Sequence, residues 1–325
     1  MNSDNHIKLI IGFITYGKST AKYLPYFLSN LKKQTFTDFK IIAFDNTENS
    51  DNENINYIKN SYPEIKILGT GKNIGFARAY NKMISRAVEM DAKYFLAINN
   101  DIILEPDAIK KMANAMDSDK ELDSVCPKIL KWDFEQNKKT KIIDSCGIQE
   151  ISALRFKDIG QGEIDRGQYD GAEILGPSGA AAIYRVSVLE EIKNNSEYFD
   201  ELMFMYEEDC DLAYRLKLAG YKSKLISKAV IYHDRTASAK GFKNLQVALN
   251  RKNKSQQIKR WGFLHKHIIF IKYWRTLAIK QKLEVLWFAF KMFTFAIIFE
   301  RYLLKEYLKL LKIRKKIKIY KKLNY

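Results

Sequence analysis

The chain has 325 residues, 46% of them apolar, and a formal net charge of +17. That length and apolar content exclude a wholly disordered chain and leave room for one large domain plus an extension, or for two domains. The charge is uneven: residues 240–325 carry 23 Lys and Arg against 3 Glu, whereas residues 1–239 carry 32 against 35 acidic residues, so only the tail asks for an acidic partner.

In chain order, "IKLIIGFIT" near the start lacks a basic leader and a small-residue cleavage site, and reads as a first strand. A helix is predicted over residues 20–33. "FKIIAFDN" gives a second strand, followed by a polar loop and a short helix over residues 55–60. "EIKILGTG" is the third strand, residues 74–90 a helix, and "KYFLAIN" the fourth strand, with Pro106 suited to the first turn of the next helix. These strands are short continuous apolar runs, which favours a parallel sheet covered on both faces and an α/β fold. Cys126, Cys146 and Cys210 are odd in number and lack zinc or disulfide spacing, which points to a reducing compartment.

The fourth strand ends in Asn99, Asn100 and Asp101, residues that dislike burial. In open α/β sheets ligands gather beyond the carboxyl ends of the strands, and a carboxylate flanked by amides there suits a hard divalent cation carrying phosphates. A simple turn is the other reading of the triplet. Thr15 and Tyr16 close the first strand, and Asp45 with Asn46 the second, so an aromatic face and a carboxylate stand ready for a nucleobase. "GTGKNIGFARAYN" is a glycine-rich turn opening a helix, where amides can approach a phosphate. It fits neither the dinucleotide fingerprint, for which Gly69, Gly71 and Gly75 are one residue too long, nor a P-loop, because Lys72 precedes Asn73. Lys72 and Arg78 are phosphate or acceptor contacts, or solvated charges.

Further on, "ILGPSGAAAIYR" is so poor in side chains over residues 176–182 that a backbone or a substrate can come close. A helix runs from Glu208 to Gly220, with Leu212, Leu216 and Ala219 on its buried stripe. Asp209 shares that stripe, while Asp211 pairs with Arg215 at i+4 on another face. Desolvation should raise the pKa of Asp209 against the helix N-terminus, which poises it as a general base, unless it is only a first-turn acid. His233 follows another apolar strand and is either structural or a second ligand for a metal held by Asp101.

The combination of "ITYG", "FDN", "NIGFARAYN", "NND", "GPSGAAAIYR", "FDELMFMYEEDCDLAYR" and a terminal "YH" resembles family 2 of the inverting glycosyltransferases, over about residues 8–235. It resembles in particular their rhamnosyltransferase-like branch. The resemblance implies a GT-A fold, an α/β mixed sheet flanked by helices, with Thr15, Tyr16 and Asp45 on the nucleoside and Asn73, Gly75, Arg78 and Asn100 around the donor. It implies Asp101 and His233 on a Mg²⁺ or Mn²⁺ ion, Asp209 as base, and Gly176, Ser178, Gly179 and Glu208 in the acceptor loop. Asn99 departs from the Asp of many relatives, which implies weak or partly dispensable metal binding. A dTDP- or UDP-linked sugar, rhamnose first, and a saccharide acceptor on a lipid in cell-surface polysaccharide synthesis are the implied partners. A sugar nucleotidylyltransferase is a poorer fit, because "TYGKSTAKYLP" lacks the glycine-rich loop it needs. A nucleic-acid binder using the tail leaves residues 1–235 without a role.

A catalytic domain over residues 1–239 and a basic helical extension over residues 240–325 follow. "LEVLWFAFKMFTFAIIF", residues 283–299, is too short and too charged to span a bilayer, given Glu284 and Lys291. A crossing would also put the basic end on the wrong side. Helices lying on the anionic cytoplasmic leaflet are expected, which makes the protein a peripheral membrane protein of the cytoplasm. Packing on the catalytic domain, or pairing two copies into a homodimer, is the alternative.

Overall fold

The apolar run Leu9–Thr15 forms strand β1, and its alternation separates two cores. Leu9, Ile11 and Phe13 pack on one side of the sheet and Ile10 on the other, as the period of a strand requires. A computed structural model describes residues 7–49, 51–235 and 255–320. In it β2 (Phe39–Asp45), β3 (Lys66–Gly69) and β4 (Tyr94–Ile98) run parallel to β1 in the order β3-β2-β1-β4. Helices α1 (Gly17–Ala21), α2 (Leu24–Lys32), α3 (Glu53–Ser61) and α4 (Gly75–Glu89) fill the connections. The single helix expected over residues 20–33 is therefore two, with Pro25 in the first turn of α2.

Past β4 the sheet turns mixed, and the parallel arrangement read from the first four strands holds for β3-β2-β1-β4. Next come β5 (Ile102–Leu104), α5 (Ala108–Ser118), β6 (Leu122–Asp133), β7 (Lys138–Ser145), β10 (Ala181–Arg185), α6 (Val186–Ile192), α7 (Glu208–Leu218) and β11 (Lys222–His233). β10 lies antiparallel between β4 and β6, β11 parallel to β6, and β5 antiparallel to β11 at the edge. β7 adds to β6, and β8 (Ile148–Ser152) pairs with β9 (Arg155–Asp158) as a separate hairpin. Residues of α2 and α5 cover one face of the sheet; those of α4, α6 and α7 cover the other.

The tail forms α8 (Gln256–Tyr273), α9 (Ile279–Ile298) and α10 (Leu304–Ile313). α8 packs Leu264, Ile268, Ile269 and Tyr273 against Met203, Tyr214 and Leu154. Its Lys272 is 2% exposed and bridges Asp200 and Asp211, each at 2.7 Å. Asp211 does pair with Arg215, at 3.0 Å, but on a fully buried face, because α8 covers it and Tyr273 donates its hydroxyl to the same carboxylate at 2.7 Å. α9 keeps its apolar face outward, with Trp287 58% and Ile298 66% exposed. Among the described residues no helix is long and apolar enough to cross a membrane. The boundary expected near residue 239 lies outside the described residues.

Candidate active site

β4 lies inside the sheet and β5 at its edge, so Asn99, Asn100 and Asp101 are the segment where the chain crosses from one to the other. They line a cavity of about 870 Å³. Tyr16, Asn46 and Asn73 line it too, from the ends of β1 and β2 and the turn before α4. Thr15 and Asp45 stand behind this wall, both buried, and line none of the cavity. The Asp45 carboxylate accepts from Thr15 Oγ1 at 2.7 Å, Thr47 Oγ1 at 2.8 Å and Asn52 Nδ2 at 2.8 Å, which leaves it little capacity for a ligand. It builds the wall that Tyr16 and Asn46 present.

Asn46 ties that wall to the next turn, taking Ile74 N–H at 3.1 Å and giving its amide to Gly75 O at 3.3 Å. Asn73 Oδ1 accepts from Gly75 N at 3.0 Å. Gly75 has φ +82, and a Cβ there would stand 2.5 Å from Phe204 O. Only glycine meets both conditions. Gly75 thus shapes the turn before α4 without lining the cavity.

On the other side, the register His233↔Ile102 between β11 and β5 brings His233 beside Asp101. His233 Nε2 lies 3.0 Å from Asp101 Oδ1, and Nδ1 lies 2.9 Å from Asp144 Oδ2. Burial pulls the imidazole pKa down, but the two carboxylates outweigh it and lift it to about 10. Burial raises Asp144, but the His233 bond together with the charges of Arg235, His233 and Lys131 outweighs it, so Asp144 sits below its ordinary value. Asp101 Oδ1 is buried and makes no well-formed hydrogen bond. A cation fits this arrangement in place of the proton that His233 Nε2 holds toward Asp101 Oδ1, with Asp144 orienting the ring as metal-bound histidines require. Among the described residues no group of three or more His, Cys, Asp and Glu side chains gathers to hold a metal. Two protein ligands suit a Mg²⁺-like ion that takes its remaining oxygens from phosphate and water.

Asp209 opens α7 into the same cavity. Its Oδ2 accepts from Gly179 N at 2.9 Å and its Oδ1 from Cys210 N at 2.8 Å. A side chain at residue 179 would put a Cβ 3.0 Å from Oδ2, so glycine permits the contact. Burial raises the Asp209 pKa, and these N–H groups oppose it without cancelling it. Glu208 is raised well above its ordinary value, by burial first and by Asp209 next. It is 5% exposed, lines the cavity, and its Oε2 has no partner.

Residues 11–193 match the family model Glycosyl transferase family 2. The chain belongs to that family. It is 25% identical, over 252 residues, to the N-acetylglucosaminyl-diphospho-decaprenol L-rhamnosyltransferase of Mycobacterium tuberculosis, covering 69% of this chain and 75% of the relative. Its structure is similar to that of GalNAc-T7 with UDP, GalNAc and Mn²⁺, with a TM-score of 0.55 at 12% identity over 82% of this chain; it spans 52% of that longer protein. It is also similar to S. aureus TarS 1–349, with a TM-score of 0.50 at 17% identity over 82% of this chain and 80% of TarS 1–349. The fold is GT-A, and the family sets aside the nucleotidylyltransferase and nucleic-acid-binding readings.

Within this glycosyltransferase site the acceptor-loop candidates divide. Ser178, Gly179 and Glu208 line the cavity. Gly176 does not: a Cβ there would meet Ala213 Cβ at 2.4 Å, so it is glycine to let this segment approach α7. Arg78 is also outside the lining and pairs with Glu201 at 3.1 Å, and Lys72 is outside it as well. Among the cavity groups that escaped the sequence reading are Arg235, paired with Asp158 at 2.8 Å, and Trp261 of α8. Asp144, 3.6 Å from Arg235, escaped it too, although it ends the apolar run of "TKIID" as Asp45 ends "IIAFD".

Proposed function

We propose that this family 2 glycosyltransferase moves a hexose, L-rhamnose first, from a dTDP- or UDP-linked donor to a lipid-linked saccharide, inverting the anomeric carbon. The observation that carries it is that Asp209 and the Asp101–His233 pair face one cavity from different parts of the sheet. Tyr16, Asn46 and Asn73 would hold the nucleoside. A divalent cation at Asp101 and His233, Mg²⁺ or Mn²⁺, would neutralise charge on the departing diphosphate, weakly held because Asn99 supplies no second carboxylate. Asp209 takes the acceptor hydroxyl's proton as that oxygen bonds to the anomeric carbon, and the carbon–oxygen bond to the diphosphate breaks on the opposite face. No covalent nucleophile is needed.

The tail supports a lipid-linked acceptor in the synthesis of a surface polysaccharide. Residues 279–320 hold 11 Lys and Arg against 3 Glu. All three acids are engaged by the protein: Glu284 with Ala153 N, Glu300 with Lys259 and Glu306 with Arg260. Outside stand Leu283, Trp287 and Phe290, with Lys291 4.9 Å over the Trp287 ring. Aromatic residues flanked by lysines fit the headgroup region of an anionic bilayer. A second copy would bring like charges together, so the occupant we assign is the cytoplasmic leaflet.

A screen of nucleotide-diphosphate sugars, scored by release of nucleoside diphosphate with and without chelator, tests the reaction. One dTDP- or UDP-sugar should turn over, and chelator or Asp101→Ala should stop it. Full turnover in excess chelator removes the metal assignment. Release from none of these donors refutes the reaction.

A further inference from the structure

We propose that α8 is a positioning element of the catalytic site: His265, Lys266 and Trp261 hold the turn Phe204–Glu207 in the conformation that delivers Glu208 and Asp209 to the cavity. Tyr206 and Glu207 have φ of +72 and +73, two successive non-glycine residues in the left-handed region. That region crowds a Cβ against the carbonyl, and such a pair persists only where its surroundings over-determine it. The local sequence does not do so. Glu207 occupies the N-cap of α7, yet its side chain makes no capping hydrogen bond, where a helix start usually has extended backbone and an oxygen on its own free N–H groups.

The surroundings are α8. Trp261 stacks on the Phe204 ring at 4.9 Å with 26° between the planes. His265, 1% exposed, donates Nδ1–H to Tyr206 O at 2.9 Å. Lys266 takes the Glu207 carboxylate that would otherwise cap α7. Three residues of one turn are therefore gripped by three residues of one helix, in the same order along both. Phe76 N–H, at the start of α4, also holds Phe204 O at 2.8 Å. The turn joins the donor side of the cavity to the helix bearing Asp209, so releasing its grip should misplace the base before it unfolds the protein. A misplacement of about 1 Å is enough to slow a positioned reaction by about a hundredfold.

The kinetic arm of the test rests on Asp209 as base; the exchange arm does not. In the full-length chain, amide hydrogen exchange is measured over residues 203–211 for wild type, His265→Leu and His265→Asn, together with affinity for UDP and Mn²⁺ and turnover of the donor found by screening. His265→Asn keeps an N–H close to the position of Nδ1. His265→Leu should speed exchange of residues 203–211 by about tenfold or more, leave β1 and β4 unchanged, and lower turnover about tenfold with UDP affinity within threefold. His265→Asn should restore most of both. If His265→Leu does not fold, Lys266→Met, on a less buried side chain, carries the same comparison. Wild-type exchange and turnover in these variants would overturn the proposal, as would a loss that His265→Asn shares in full or that spreads to β1 and β4. Asp209→Asn is the control: if it retains turnover, the base assignment fails and exchange alone decides the role of α8.

Discussion

Helices α8 and α9 follow one another in the same basic tail and meet opposite ends. α8 is the more polar, with the run His265, Lys266, His267, yet nine of its residues are buried, among them His265, His267 and Lys272. α9, with "LWFAF" and "FAIIF", buries only Val285 and Ala296. Apolar content did not decide which helix was covered. Partners did: residues 200–211 offer Asp200, Glu207, Asp211 and the carbonyl of Tyr206, and α8 carries cations and an N–H at matching positions. Directional polar groups sealed α8 to one site, and the apolar face of α9 is left exposed, the face for which we proposed an anionic bilayer.

The largest effect should fall on α8. Lys272→Ala leaves Asp200 buried without its cation and Asp211 with only Arg215 and the Tyr273 hydroxyl, and should destabilise the protein by about 3–5 kcal/mol, the usual result of breaking a buried pair. On α9, Lys291→Ala should stay within about 0.5 kcal/mol. Chemical denaturation midpoints measure both, and equal values would erase the distinction between the helices.

A smaller effect should appear on α9 and spare the fold. Replacing Leu283, Trp287 and Phe290 together by Ser should leave the melting temperature within about 2 °C, since exposed apolar groups contribute little to folding. Flotation with anionic vesicles should fall about tenfold or more, because each lost side chain removes insertion energy. If wild type ignores such vesicles and elutes as a dimer that this variant converts to monomer, a second copy covers the face. The smallest effect is that of salt. Raising it to about 1 M shortens the screening length to roughly 3 Å, yet should release only part of the bound protein, because apolar insertion resists screening. Complete release would make the contact purely electrostatic.

The first half of the fold was legible because β1, β2, β3 and β4 are each a short apolar run ended by polar residues. The residues brought together at Asp101, His233 and Asp209 were legible for the same reason, each at the end or start of an element. β7 was not: "KKTKIIDS" exposes most of its first half and reads as loop, and with it Asp144 was missed. Within "GPSG", composition cannot tell that Gly176 faces Ala213 while Gly179 faces Asp209. Nor can it tell that Lys272 belongs to the catalytic body, because its partner Asp200 is 72 residues away. Counting charge grouped Lys272 with a surface tail, whereas pairing put it in a core.

The central claim is that Asp209 is the base, held where burial lifts its pKa. It is tested most directly by the pH dependence of nucleoside diphosphate release in wild type and Asp209→Asn. A base must be ionised, so wild-type turnover should fall as pH drops through the raised Asp209 pKa, at a pH above the ordinary carboxylate range. Asp209→Asn should lose about 10² or more in turnover, with donor affinity nearly unchanged and that acid limb gone. A variant within a few fold of wild type, still showing the same limb, would mean that Asp209 only starts a helix.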